Sequence, residues 1–107
     1  MIRRIQPGLD AIPPVKRTQD NGTLEEIRRF RGLTLEQAAV YLERLGGHRS
    51  EYGMIRGDGW TATLSETRVP VGPSYRLTEV EITWSGESDV LERVIHRFRL
   101  KAFRAPG

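Results

Sequence analysis

His48 and His96 are the two side chains in this chain best suited to proton transfer or metal ligation. A metal would need further ligands converging on one of them, and no H-x₃-H or H-E-x-x-H spacing is present. His48 follows Gly46-Gly47 in an expected loop, where it could meet an anion. His96 lies beside the apolar stripe of an expected helix. Surface or boundary positions are the simpler reading for both. The chain has no cysteine, which excludes thiolate chemistry, disulfides and Cys-based metal centres within it.

Glycines 53, 57 and 59 raise the question of a phosphate loop. Such a loop needs Gly-Lys-Ser/Thr running into a helix. Here Gly59 leads into Trp60-Thr61-Ala62, a strand pattern, so the glycines read as turn residues. Trp60, Trp84 and Tyr75 could stack on a base or a ring. The two tryptophans fall on the apolar side of their strands and are expected in the core, whereas Tyr75 sits in a turn.

The strongest binding feature is basic. Arg93, Arg97, Arg99, Lys101 and Arg104 crowd the end of the last expected helix. They could contact a partner protein, nucleic acid or another anion. The plainer alternative is a solvated helix face in a favourable interaction with the helix dipole. Of 17 basic residues, 15 are arginines and 2 lysines, against 14 acidic ones, for a net charge of +3. That bias alone places no site.

Residues 28–39 and 47–50 echo a helix-turn-helix, but the spacing does not fit. That motif turns four residues after its buried alanine, which from Ala39 is Glu43. The glycines arrive only at Gly46 and Gly47, and the residues after them have a strand-like pattern.

These side chains need a scaffold, and 107 residues supply one domain. Such a length hides roughly two thirds of its unfolded surface. With 37% hydrophobic and 29% charged residues the chain is expected to be globular. No apolar run approaches the roughly 18 residues of a membrane span. Met1-Ile2-Arg3-Arg4-Ile5 has no apolar stretch behind it, so a cytoplasmic location is expected.

Residues 1–22 carry the breaker pairs Pro7-Gly8, Pro13-Pro14 and Asn21-Gly22. They are expected to form an extended or partly disordered arm ahead of a single domain at 23–107. Residues 23–33 fit two patterns: a short helix capped by Thr23 and Glu26, or a strand over 27–33 with Phe30 facing inward. The clearest helix spans 34–45. Thr34 and Gln37 make a capping box, Leu35, Ala38, Ala39, Leu42 and Leu45 make one stripe, and Gly46 suits the C-terminal cap.

From residue 48 the period becomes two. Strands are expected at 52–55, 60–65, 68–71 and 77–84, with turns at 57–59 and 72–74. Pro70 suggests an edge. Ser85 to Glu87 read as a loop, and Ser88 as the N-cap of a last helix reaching about Leu100. The expected fold class is α+β, an antiparallel sheet of four to five strands with two helices on one face, in the order β-α-β-β-β(-β)-α.

A set of short motifs is nearly collinear with one known group of proteins. It comprises Tyr41-Leu42-Glu43, Leu45-Gly46-Gly47, Arg49, Met54-Ile55-Arg56, Gly59, Glu66, Pro70-Val71-Gly72 and Leu77. Val80-Glu81-Ile82, Gly86-Glu87, Leu91-Glu92-Arg93 and the closing Arg104-Ala105-Pro106-Gly107 complete it. From about Phe30 onward the chain resembles the C-terminal domain of ubiquitin-like proteins of thermophilic bacteria related to the small subunit of molybdopterin synthase. The resemblance implies a TATA-binding-protein-like α+β fold and favours a strand at 27–33. It also implies a non-enzymatic accessory or interaction domain tied to molybdenum-cofactor or sulfur-carrier metabolism, with no catalytic, cofactor or metal residues to carry over. The expected partner is a protein, such as a sulfur carrier or a molybdopterin-synthase component. The ubiquitin-like half has no counterpart here, and Pro106-Gly107 is not the Gly-Gly end of a carrier. Two alternatives stand beside this one: nucleic-acid binding through the basic last helix, and a small-ligand pocket between sheet and helices.

Overall fold

The computed structural model describes residues 15–51 and 53–104, with side chains to residue 102. The elements are β1 (Lys16–Asp20), β2 (Thr23–Arg31), α1 (Leu35–Arg44), β3 (His48–Glu51), β4 (Met54–Gly57), β5 (Trp60–Pro70), β6 (Arg76–Glu87) and α2 (Ser88–Arg104). The six strands form one sheet in the order β1-β2-β6-β5-β4-β3, antiparallel at every pairing. Both helices lie on one face, as the pattern requires, and the sheet is larger than the four or five strands expected.

The inner face follows from strand alternation. Register aligns Phe30 with Val80, places Ala62 opposite Trp84 and Leu64 opposite Ile82, and sets Ile55 beside Ala62. Onto this row α1 lays Ala38, Ala39 and Leu42, and α2 lays Leu91, Val94, Ile95 and Phe98, all buried. At the centre the Phe98 ring lies 5.1 Å from Phe30, 5.4 Å from Trp84 and 5.9 Å from Tyr41, edge to face each time. Among the described residues the core holds one unpaired polar atom, the sealed indole N–H of Trp84.

The segment 23–31 is a strand, which resolves the helix-or-strand ambiguity. Its helical signals lose to its neighbours, because β2 is flanked by β1 and β6 and gains a ladder on each side. Lys16–Asp20, expected within an extended arm, is extended but paired along its length with β2. Asn21 (φ 50°) and Gly22 (φ 80°) form the tight turn between them, the Asn-Gly hairpin pair. All five residues of β1 are exposed, so it lacks the apolar alternation that would mark it as a strand. Residues 1–14 lie outside the described residues.

Two neighbouring inner-face positions of β2, Glu26 and Arg28, break the apolar rule. Glu26 is fully buried opposite Trp84. Its carboxylate accepts from Arg17 Nη1 at 2.8 Å and from Arg28 Nε. Arg17 also donates to Glu92 on α2, and the Gln19 amide donates to Ser88 Oγ. A buried carboxylate is tolerated only when paired and hydrogen-bonded, and this pairing ties the edge strand and α2 to the sheet.

The Thr34–Gln37 capping box is present: Gln37 N–H donates to Thr34 Oγ1 at 3.1 Å, and Thr34 N–H to Gln37 Oε1 at 2.9 Å. A further cap comes from a distance. The Leu35 N–H donates to the Glu66 carboxylate at 2.7 Å, placing a negative charge at the positive end of α1.

Four boundaries differ from the expectation. His48, expected in a loop, opens strand β3, hairpinned with β4 through a bulge, while Tyr52 lies outside the described residues. The strands expected at 60–65 and 68–71 are one strand, β5, which ends at Pro70, since Glu66 fills its inner-face position as the cap of α1. Ser85-Gly86-Glu87 extends β6, because Gly86 lets the β5 backbone come close: a Cβ there would lie 2.2 Å from the Gly59 carbonyl. Helix α2 runs past Leu100 to Arg104, as no breaker precedes Pro106 and Ala102 packs on the core.

Arg49, on β3, reaches back across α1. It donates to Glu36 Oε2 at 2.7 Å and to Glu43 Oε2 at 3.0 Å. The hydrogen bond from Arg49 holds the Glu36 carboxyl below the usual carboxylate range, aided by the attraction of the two charges and opposed by slight desolvation. A lowered folded-state value means that the pair stabilises the fold above the unfolded carboxylate value of about 4.3, and that this is lost as pH falls through the folded value. The site is exposed and screened, so the effect on stability is small. In an NMR titration Glu36 is expected to protonate at lower pH in the native chain than in Arg49→Gln. Coincident midpoints would refute the pairing.

Candidate functional site

The basic cluster on α2 divides when it is placed in space. Arg93 and Arg97 are four residues apart, so they stack on one exposed face, with Lys101 one turn further along and half-buried. Arg99, two residues from Arg97, is carried round to another face, the one that holds Glu92. Arg104 ends the helix, and its side chain lies outside the described residues. Five arginines of the described chain, Arg17, Arg28, Arg29, Arg31 and Arg49, pair with glutamates. Arg93, Arg97, Arg99 and Lys101 form no ion pair among the described residues.

Arg93 and Arg97 border a cleft of about 260 Å³. Three elements build it. The end of α1 contributes Leu45 and Gly46, the β4–β5 turn and the start of β5 contribute Asp58 and Trp60, and α2 contributes Val90 and Val94 beside the two arginines. Gly46 takes φ 103°, the left-handed conformation that closes α1, and its N–H donates to the Glu43 carbonyl at 3.0 Å. Gly57 lies flat against the indole of Trp60: a Cβ there would sit 2.1 Å from the ring. Gly57 therefore gives room to a tryptophan, and Gly59 takes the positive φ of 87° that its turn needs.

The Trp60 and Trp84 side chains are buried, as their strand positions predicted, and Tyr75 is 61% exposed beyond β5. Helix α1 is followed by β3 and not by a second helix, so the helix-turn-helix arrangement is absent. His48 and His96 are exposed on β3 and α2. Among the described residues no three His, Asp or Glu side chains come together as a metal site would require. No described helix is long and apolar enough to cross a membrane. Between sheet and helices lies the buried core cluster, and the cleft opens at the end of the helical layer, beside the β4–β5 turn.

Sequence reasoning found Arg93 and Arg97 but missed their companions. Asp58 was visible only as the middle of a Gly-Asp-Gly turn. Leu45 and Val90 read as parts of helix stripes, and nothing local indicates that these stripes end at a common opening.

A search of curated proteins finds no match to this chain. A family model described as archaeal MoaD-like protein matches residues 26–107, from the inner-face glutamate of β2 to the last residue. That span takes in α1, β3 to β6, α2 and every residue that borders the cleft. The chain belongs to the archaeal MoaD-like family.

Proposed function

We propose that this protein is an accessory, protein-binding domain of molybdenum-cofactor or sulfur-carrier metabolism that performs no chemical step of its own. The observation that carries the reading is the family match over residues 26–107. The face of α2 that forms no ion pair among the described residues supplies the contact surface, with Arg93 and Arg97 at its centre, Lys101 continuing it and Arg99 on the adjoining face; Arg104 stands at the helix end. Arginines without internal partners keep their donors for an acidic or carboxylate-bearing surface. A nucleic-acid footprint is less well served, because the turn of Arg99 away from Arg93 and Arg97 breaks the continuous basic stripe that a phosphate backbone follows.

The test is capture of the tagged chain from its native host, followed by binding measurements with the purified proteins recovered. Molybdopterin-synthase or sulfur-carrier components are expected, with affinity falling at least tenfold in Arg93→Glu/Arg97→Glu. Recovery of unrelated proteins alone would overturn the proposal.

A further inference from the structure

Arg93 and Arg97 differ from the other unpaired arginines in what lies beside them. Arg44 and Arg68 are also exposed and free of ion pairs among the described residues, yet neither borders the cleft. At Arg93 and Arg97, two guanidinium groups one helical turn apart flank a recess whose other sides include an indole, a leucine and two valines. Side chains at this spacing lie roughly 5–6 Å apart at Cβ, close enough for both forks to reach the oxygens of one anion.

Charge and size narrow the ligand. The two arginines outweigh Asp58, the one acidic residue at the cleft, and also the partial negative charge at the end of α1. The net field favours an anion. The apolar sides offer contact to a ligand that carries more than its charge. At about 260 Å³ the cleft falls below the roughly 300–1,000 Å³ of sites for drug-sized ligands. It has room for one small ring and its charged group, not for a dinucleotide.

We propose that the cleft between the end of α1, the β4–β5 turn and α2 is a binding site for a small organic oxyanion, a phosphate monoester or a carboxylate on a flat apolar body. Arg93 and Arg97 hold the oxygens, and Trp60, Leu45, Val90 and Val94 border the body. The proposal stands independently of the protein-partner reading, since it concerns the purified chain alone.

The experiment titrates the isotope-labelled 107-residue chain with phenyl phosphate, benzoate and inorganic phosphate at physiological ionic strength, followed by NMR. Phenyl phosphate or benzoate is expected to give saturable shifts at Gly46, Asp58 and the Trp60 indole, in the millimolar range or tighter. Tighter binding of phenyl phosphate assigns the phosphate-ester class; tighter or equal binding of benzoate assigns the carboxylate class. Arg93→Gln/Arg97→Gln is expected to weaken binding at least about tenfold, the loss of charge-assisted hydrogen bonds. Asp58→Asn is expected to tighten it severalfold by removing the like charge. Arg44→Gln/Arg68→Gln makes the same change in net charge at residues that do not border the cleft and should leave binding unchanged. Gln suits an exposed helix, and unchanged thermal unfolding confirms that the variants fold. The proposal is overturned if neither organic anion saturates. It is also overturned if the Arg44/Arg68 variant loses as much as the Arg93/Arg97 variant. Inorganic phosphate binding as tightly as phenyl phosphate would remove the apolar body from the assignment.

Discussion

Phe98→Ala is expected to cost about 3–5 kcal/mol, the range for truncating a fully buried aromatic. Phe98 joins all the layers: its ring meets Phe30 on β2, Trp84 on β6 and Tyr41 on α1. Truncation loses the transfer free energy of the ring and leaves a cavity that three rigid aromatics cannot collapse to fill. It also removes three edge-to-face pairs. For a domain of this size each kcal/mol lowers Tm by roughly 4–8 °C, so the fall is on the order of 15–30 °C. Native domains have only about 5–15 kcal/mol of stability, so this one change consumes a large fraction of it. Leu100→Ala, two residues further on the same helix at a site 48% exposed, is the control and should fall within about 0.5 kcal/mol. Denaturant midpoints for the two variants decide the matter. Equal losses would mean that α2 is not held through Phe98.

The aromatic centre was legible because it obeys local periodicities. Phe98 recurs with Leu91, Val94 and Ile95 at helical spacing, and Trp84 alternates with Ile82 and Val80. The capping box at Thr34 was legible for the same reason, since all its atoms lie within four residues. What escaped was set by partners distant in sequence. Strand β1 has no apolar residue to announce it and is held by ladder bonds to β2 and by the Arg17–Glu26 pair. Glu66 interrupts the alternation of β5, which makes one strand read as two, because its task is to cap a helix 31 residues earlier. Glu26 on an inner face would count as an error of pattern until Arg17 and Arg28 are seen on either side of it.

The candidate site divides along the same line. Two of its arginines follow from composition and helical spacing. Its shape does not, because three elements that are apart in the chain end at one opening. Helix α1 stops at Gly46 because that residue takes a conformation costly to others, and the stop leaves Leu45 at the edge of the core. The family model matches all three elements.

Gly86→Ala carries the second-largest expected effect, and it joins the fold to the cleft. A Cβ on residue 86 would lie 2.2 Å from the Gly59 carbonyl oxygen and 2.7 Å from the Trp60 Cα. Both obstacles are backbone and cannot rotate away, so the strands must separate. The Gly59 carbonyl also accepts the Glu87 N–H at 2.9 Å, and the next N–H, of Ser88, donates to Gly22 at 2.8 Å. Displacing Gly59 therefore strains the β5–β6 ladder just where α2 begins. A cost of about 3 kcal/mol is expected, at the upper end for overpacking. Gly72→Ala separates this steric cause from backbone preference. Gly72 has φ 89° but open space around its Cβ position, so only the left-handed penalty of roughly 1–2 kcal/mol applies there. Gly86→Ala should lose more stability than Gly72→Ala in denaturant unfolding. It alone should shift the amide signals of Asp58, Gly59 and Trp60, and so weaken phenyl phosphate binding without touching either arginine. If the two alanine variants are equally stable and the 58–60 signals stay in place, the close approach of β6 to the β4–β5 turn does not shape the cleft.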